Sequence, residues 1–165
     1  MNIHTIGLVA ALAMLATPAS FAHSDTHHAA KAHTVHAAAV VDMPFGRQGD
    51  PKQVDRTITV DMTDNMRFTP GVLTVRRGET VRLKVANKGE LLHELVLGTS
   101  EALTTHAQAM RASPGMAHDE PQMVHVQPGE TGEVIWQFTQ AGEFQFACLL
   151  PGHFEAGMVG KVVVR

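Results

Sequence analysis

Cysteine is nearly absent from this sequence, which has a single one, Cys148, among 165 residues. One thiol cannot form an internal disulfide, so no disulfide framework holds the fold together. Lys and Arg number 13, form no cluster and leave a formal net charge of −3, which excludes a nucleic-acid binder with a basic footprint. We therefore expect an ordinary globular domain that depends on its apolar core, for which 44% apolar residues suffice.

Long apolar runs are also missing. The apolar run over residues 6–16 is too short to cross a bilayer as a helix. It precedes Ser20-Phe21-Ala22, a small-x-small pattern that predicts cleavage by signal peptidase after Ala22. Residues 1–5 contain no Lys or Arg, so an uncleaved apolar anchor is the alternative. In both cases we expect the folded part to lie outside the cytoplasm. We predict a cleaved signal peptide over residues 1–22, with no membrane span after cleavage.

Histidine and methionine are abundant, with 11 and 9 residues. Imidazole, thioether and thiolate together are the ligand set that copper favours. Residues 23–55 are predicted to be a disordered extension, made of a His-rich tail over 23–41 and a Pro/Gly-containing linker over 42–55. A copper-binding tail and a solvated tail with incidental histidines fit this stretch equally well. Its histidines are His23, His27, His28, His33 and His36.

From residue 56 to residue 165, apolar and polar residues alternate in short runs separated by turn residues. Ile58, Val60 and Met62 form one such apolar face, and Val81, Leu83 and Val85 form another. Alternation of this kind indicates half-buried strands, whereas only residues 101–112 suggest a helix. About eight short strands with turns between them predict an all-β domain, an antiparallel β-sandwich over residues 56–165.

The end of this domain carries the spacing Cys148-x4-His153-x4-Met158. A trigonal His2Cys site with a weak axial Met suits copper that must change between Cu(I) and Cu(II) without large rearrangement. Pro151-Gly152 can turn the chain so that the three side chains converge. The fourth ligand must come from another strand, and His93, which follows the turn at residues 87–90, is the best candidate.

These residues resemble the cupredoxins of the plastocyanin/azurin group. Cys148, His153 and Met158 match the family's ligand loop, and His93 matches its upstream ligand histidine. The resemblance implies a Greek-key β-sandwich and one-electron transfer or copper handling. The closer likeness is to periplasmic copper-tolerance cupredoxins of the CopI type, and it implies a periplasmic location. One departure is Glu94, because many electron-carrier cupredoxins have Asn next to the upstream histidine.

A second Met/His group lies before the Trp strand and is interpreted as a set of auxiliary copper ligands. Met123 and His125 alternate with Val124 and Val126, so the Met/His pair is expected to face solvent if the valines face the core. A partly packed loop with incidental methionines is the alternative. The auxiliary residues are Met110, Met116, His118, Met123 and His125.

We expect a copper-binding protein for copper tolerance rather than an enzyme, with copper ions as its ligand. The alternative is an electron-transfer shuttle between respiratory or photosynthetic partners, since Leu149, Leu150, Pro151 and Phe154 could form an apolar docking patch. A redox partner protein, or a copper exporter or oxidase, is the expected protein partner. The sequence contains no His-x-His pair, which argues against a multicopper oxidase.

Overall fold

The computed structural model describes residues 42–113 and 119–165, so the expected signal peptide and the stretch at 23–41 lie outside the described residues. The described residues form β1 (Asp42–Met43), β2 (Gly46–Gln48), β3 (Arg56–Thr63), β4 (Arg67–Thr69), β5 (Val72–Val75), β6 (Thr80–Asn87), β7 (His93–Gly98), α1 (Ser100–Ala112), β8 (Met123–Val126), β9 (Thr131–Gln137), β10 (Gly142–Ala147) and β11 (Val159–Val164).

The strands form two sheets. One has the order β1-β2-β9-β6-β3-β4, and the other has the order β5-β11-β10-β7-β8. The predicted all-β sandwich is confirmed. Most neighbouring strands are antiparallel, while β3 with β6 and β5 with β11 run parallel. Both parallel pairs join strands that are not consecutive, which follows from chain crossings between the sheets.

The main core lies between the two sheets because the alternating residues of each strand point to opposite faces. Val60 and Met62 of β3, Leu83 of β6 and Trp136 of β9 are fully buried, and Phe146 of β10 faces them from the other sheet. Burial of a large apolar side chain contributes about 1.5–3 kcal/mol, so these residues account for much of the stability. The end of this core next to Phe146 also contains Cys148.

Helix α1 covers the outer face of the five-stranded sheet. Thr99 caps its first turn, since the Thr99 side chain accepts a hydrogen bond from the backbone N–H of Ala102. Leu103 and Met110 of the helix pack against Met123 of β8 in a second apolar cluster. The predicted helix is confirmed. No helix among residues 42–113 and 119–165 has the length and apolar character needed to cross a membrane.

The prediction that residues 42–55 form a linker is partly wrong. It contains β1 and β2, and β2 pairs with β9 of the six-stranded sheet. Phe45 between these strands is buried and stacks on Trp136 with ring centroids 5.1 Å apart. The physical reason is that one buried aromatic ring and a few ladder hydrogen bonds suffice to fasten a short polar segment to a sheet edge. The domain therefore begins before residue 56.

Candidate metal centre

Residues 148–158 form the loop that connects β10 to β11, and they carry three of the predicted ligands. The strands end at the pair Ala147 and Val159, and one further bond, from Cys148 N to the Met158 carbonyl at 3.1 Å, closes the loop. Gly152 has φ of +90°, a conformation that glycine adopts without strain. The turn predicted at Pro151-Gly152 thus reverses the chain direction within the loop. As a result, the His153 ring contacts the Cys148 sulfur.

His93, the first residue of β7, lies beside the ligand loop and close to His153. Strand β7 pairs with β10 through Val96 and Ala147, so the first residue of β7 lies beside the ligand loop. His93 is fully buried, and its ring centroid is 4.9 Å from that of His153. Its Nδ1 atom is buried and has no hydrogen-bond partner among the described residues. A buried nitrogen without a partner is costly unless something binds it.

The donor atoms of His93, Cys148 and His153 all lie within 4.8 Å of one another. The Cys148 Sγ atom is 3.2 Å from His153 Nδ1. Met158, the fourth predicted ligand, is fully buried in the same core cluster as Cys148. The structure therefore brings the predicted residues to one end of the sandwich. A thiolate, two imidazoles and a nearby thioether are donors that fit copper.

Burial changes the protonation of two of these groups. It raises the pKa of Cys148 to about 12, so the thiol keeps its proton at neutral pH when no metal is present. Burial, with the nearby His93 ring, lowers the pKa of His153. The His153 imidazole therefore keeps a free lone pair to lower pH than an exposed histidine would. In the unfolded chain Cys148 loses its proton more easily, so the metal-free fold loses stability above about pH 9.

Metal binding to the free protein should release about one proton at pH 8, because the ligand form of Cys148 is the thiolate. The measurement is titration calorimetry with Cu(I) in buffers of different ionisation enthalpy, where the slope gives the number of protons released. A slope near zero would contradict a protonated, buried thiol as the ligand source. The Cys148→Ala variant is the matched control and should release no proton from this position.

Glu94, the departure noted in the sequence, braces the ligand loop from β7. Its side chain is 1% exposed, and Oε1 accepts a hydrogen bond from the backbone N–H of Leu149 at 2.7 Å. Its Oε2 lies 2.8 Å from His125 Nε2 on β8. Because Leu149 directly follows Cys148, this carboxylate ties the cysteine backbone to the strand that carries His93. Sequence reasoning recorded Glu94 only as a departure and missed this role.

Two arginines hold the other side of the ligand loop. Arg67 of β4 donates from Nη1 to the carbonyls of Ala156, at 3.0 Å, and Gly157, at 3.4 Å. Arg111 of α1 forms an ion pair with Glu155, whose other carboxylate oxygen accepts from the backbone N–H of Gly152. The loop is thus fixed to three different elements. These contacts pre-organise its ligands.

Asp64 is a further residue that the sequence analysis missed. It lies in the turn between β3 and β4, and its Oδ1 atom is 3.0 Å from Nε2 of His93. The backbone N–H of Glu90 and the imidazole of His93 hold the pKa of Asp64 below its usual range. The only sequence signal was the Asp64-Asn65 pair, which is typical of a turn. Nothing in that signal points to a residue 29 positions away.

Among the described auxiliary residues, Met110 of α1 and Met123 of β8 pack in one buried apolar cluster. The expectation that Met123 faces solvent is therefore wrong. The reason is that α1 covers the sheet face that Met123 shares with His125. His125 contacts Glu94. Met116, His118 and the tail residues His23, His27, His28, His33 and His36 lie outside the described residues.

Comparison with known proteins gives the same picture. Residues 54–165 match the family described as copper binding proteins, plastocyanin/azurin family. The copper-resistant cuproprotein CopI of Rubrivivax gelatinosus is 56% identical over 143 residues, covering 87% of this chain and 83% of the relative. The protein of the same name in Pseudomonas aeruginosa is 36% identical, covering 73% of this chain and 82% of the relative.

Solved structures with the same fold include two auracyanins. Auracyanin A from Chloroflexus aurantiacus, described as a "blue" copper protein, is 27% identical with a TM-score of 0.55, covering 66% of this chain and 98% of its own. Auracyanin B is 24% identical with a TM-score of 0.59, covering 76% of this chain and 99% of its own. The second likeness shows the β-sandwich fold alone.

Proposed function

This chain belongs to the plastocyanin/azurin family of copper-binding proteins, and on that premise we propose that it is a periplasmic copper-tolerance protein with one type 1 copper site. Copper is its cofactor. In the proposed site, His93, Cys148 and His153 are the equatorial ligands and Met158 is the weak axial ligand. The protein binds copper and is not an enzyme.

The main observation behind this proposal is that the donor atoms of His93, Cys148 and His153 lie close together at a largely buried site. His93 Nδ1 has no partner among the described residues, and a ring nitrogen of His93 lies within 4.8 Å of the donor atoms of Cys148 and His153. A purely structural site would satisfy a buried imidazole nitrogen with a hydrogen bond. Cys148 itself is fully buried in the apolar core cluster, which shields the thiol from water and from oxidants.

Bound copper would supply a one-electron couple between Cu(I) and Cu(II). The chain's own part is to hold the ligands in a fixed arrangement. Leu149 N is fixed by Glu94, and the loop carbonyls at 156 and 157 are fixed by Arg67. A rigid ligand loop lowers the rearrangement that accompanies a change of oxidation state. These contacts would serve either storage of copper or transfer of electrons.

Copper tolerance is favoured by two observations. Two relatives, at 56% and 36% identity, carry the name copper-resistant cuproprotein. The chain also has histidines and methionines beyond the four core ligands, which a simple electron carrier does not need. In this function the protein would buffer copper and exchange it with a copper exporter or oxidase. The signal peptide proposed at residues 1–22 supports export to the periplasm.

Electron transfer to a redox partner is the second candidate. Next to His153, Pro151 is exposed, and Leu150 and Phe154 are partly exposed. These side chains supply an apolar rim to which a partner could dock. Leu149, which the sequence placed in the same patch, is fully buried and contributes nothing to it.

Copper titration of the mature protein, followed by absorption and EPR, tests the proposal. We expect an intense thiolate-to-copper absorption that is complete after the first equivalent, followed by weaker binding of further ions. Saturation at a single ion favours the electron shuttle. Absence of the intense absorption at any loading would contradict the type 1 site.

Deletion of residues 23–41 should leave the visible spectrum unchanged and lower the total copper capacity. The reason is that this stretch contains five histidines but none of the core ligands. The measurement is metal analysis of the two proteins after equilibration with the same excess of Cu(II). A full-length chain with the five histidines changed to asparagine is the matched control and should behave like the deletion. Equal capacities for all three proteins would make the tail inert.

A further inference from the structure

The Asp64 carboxylate links the two sheets at the proposed copper site. Asp64 follows β3 of the six-stranded sheet, whereas His93 begins β7 of the five-stranded sheet. Oδ1 of Asp64 is 3.0 Å from His93 Nε2 and 3.3 Å from the backbone N–H of Leu91. Oδ2 accepts from the backbone N–H of Glu90 at 2.7 Å. The carboxylate therefore accepts three hydrogen bonds, two from the loop before His93 and one from the ring itself.

This arrangement decides which nitrogen of His93 carries the proton. A carboxylate can only accept, so His93 Nε2 must be the protonated nitrogen and Nδ1 must carry the lone pair. Nδ1 is the atom that lacks a partner among the described residues. The proton is thus held on the nitrogen that contacts Asp64. This leaves the lone pair of Nδ1 free to bind a metal.

The loop before His93 is shaped to admit this carboxylate. A side chain at Gly89 would collide with the carboxyl group of Asp64, so only glycine allows this close approach. Asn87 holds the same loop from its other end, since its Oδ1 accepts from the Gly89 N–H at 2.9 Å and its Nδ2 donates to the Leu91 carbonyl at 2.7 Å. The Asn87 anchor is uncharged, whereas the Asp64 anchor also places a carboxylate beside the His93 ring.

We propose that Asp64 is a positioning residue that forms a carboxylate–histidine–copper triad through His93 and lowers the reduction potential of the site. The inference rests on the proposed function, because it requires His93 to be a copper ligand. A carboxylate that accepts the outer N–H of a ligand imidazole makes the ring a stronger donor. A stronger donor stabilises Cu(II) more than Cu(I). Asp64 also fixes the ring plane of His93 before metal arrives.

The test is the reduction potential of Asp64→Asn, measured by redox titration of the visible absorption. Asparagine keeps an accepting oxygen but removes the negative charge, and mutation of an outer partner of a metal-bound histidine typically costs about 10–100-fold in metal affinity. If the smaller value, about tenfold, falls on Cu(II) alone, the potential rises by about 59 mV. Glu90→Gln is the matched control, because it removes one negative charge from the same loop while leaving the Asp64–His93 contact in place. We expect Glu90→Gln to change the potential much less.

A measurement on the unmodified protein covers the case in which Asp64→Asn does not fold. In the Cu(I)-loaded protein, the His93 Nε2 proton should exchange slowly with water and be detected by nitrogen-15 NMR. A His93 ring protonated at Nδ1 instead, or a rapidly exchanging Nε2 proton, would overturn the inference. So would a folded Asp64→Asn protein with the potential of the parent protein.

The two proposals fail in different ways. If the parent protein shows no thiolate-to-copper absorption, the proposed function is wrong. If it shows that absorption and Asp64→Asn matches Glu90→Gln in potential, only the triad is wrong and Asp64 is merely an anchor of the loop.

Discussion

Replacing Cys148 with alanine abolishes the intense visible absorption of the copper-loaded protein. That absorption requires a thiolate bound to copper, and Cys148 is the only thiol in the chain. Two imidazoles remain at the site, so Cu(II) still binds, with lower affinity and a weak spectrum. The cost to the fold should be small, because a buried cysteine behaves as a small apolar residue. The measurement is absorption and EPR of the variant at one equivalent of Cu(II).

Met158→Leu is the matched control for that experiment. It replaces another buried residue of the same loop by an apolar side chain of similar volume. We expect this variant to keep the intense absorption and to have a higher reduction potential, because only the weak axial donor is lost. An unchanged spectrum in Cys148→Ala would end the type 1 assignment.

Glu94→Ala should lower the free energy of unfolding of the metal-free protein by about 1–3 kcal/mol, which is the usual cost of leaving a buried hydrogen-bonding group unsatisfied. The group is the backbone N–H of Leu149, next to Cys148, which loses its acceptor. The measurement is urea denaturation of the copper-free protein, in which the midpoint and slope are both recorded.

Glu143→Ala is the matched control for Glu94→Ala. Glu143 pairs with Lys161 at 2.9 Å, and both side chains are about half exposed or more. Such surface pairs contribute about 0–1 kcal/mol. We therefore expect Glu143→Ala to unfold almost like the parent protein. Equal losses of stability in the two variants would show that the buried carboxylate does not brace the ligand loop.

The sequence predicted the fold well because the core strands alternate so regularly. Val60 and Met62, or Val81 and Leu83, follow a period of two, and the structure buries them between the sheets. The placement of His93 beside Cys148 could also be predicted, although only as the best candidate. Short-range spacing determines how the ligand loop turns. The position of His93, in contrast, depends on which strand lies next to β10.

Other features depend on contacts that no local pattern records. The sequence predicts a linker at Phe45 because its neighbours are polar and turn-forming, and only Trp136 on a distant strand explains its burial. The alternation of β8 predicts an exposed Met123, because it does not show that α1 covers that face. The sequence around Asp64 indicates only an ordinary turn, because its contact with His93 involves the other sheet. In each case the deciding partner is distant in sequence.

The position of β11 has a consequence for how the protein matures. This last strand lies inside the five-stranded sheet, with β5 on one side and β10 on the other. A chain that folds from its N-terminus onward would receive β11 after the other described strands, so β5 would stay separated from β10 until β11 is in place. The ligand loop ends where β11 begins, at Val159. The copper-binding pocket would then be one of the last features to form, and a truncated product would have no finished place to capture the ion.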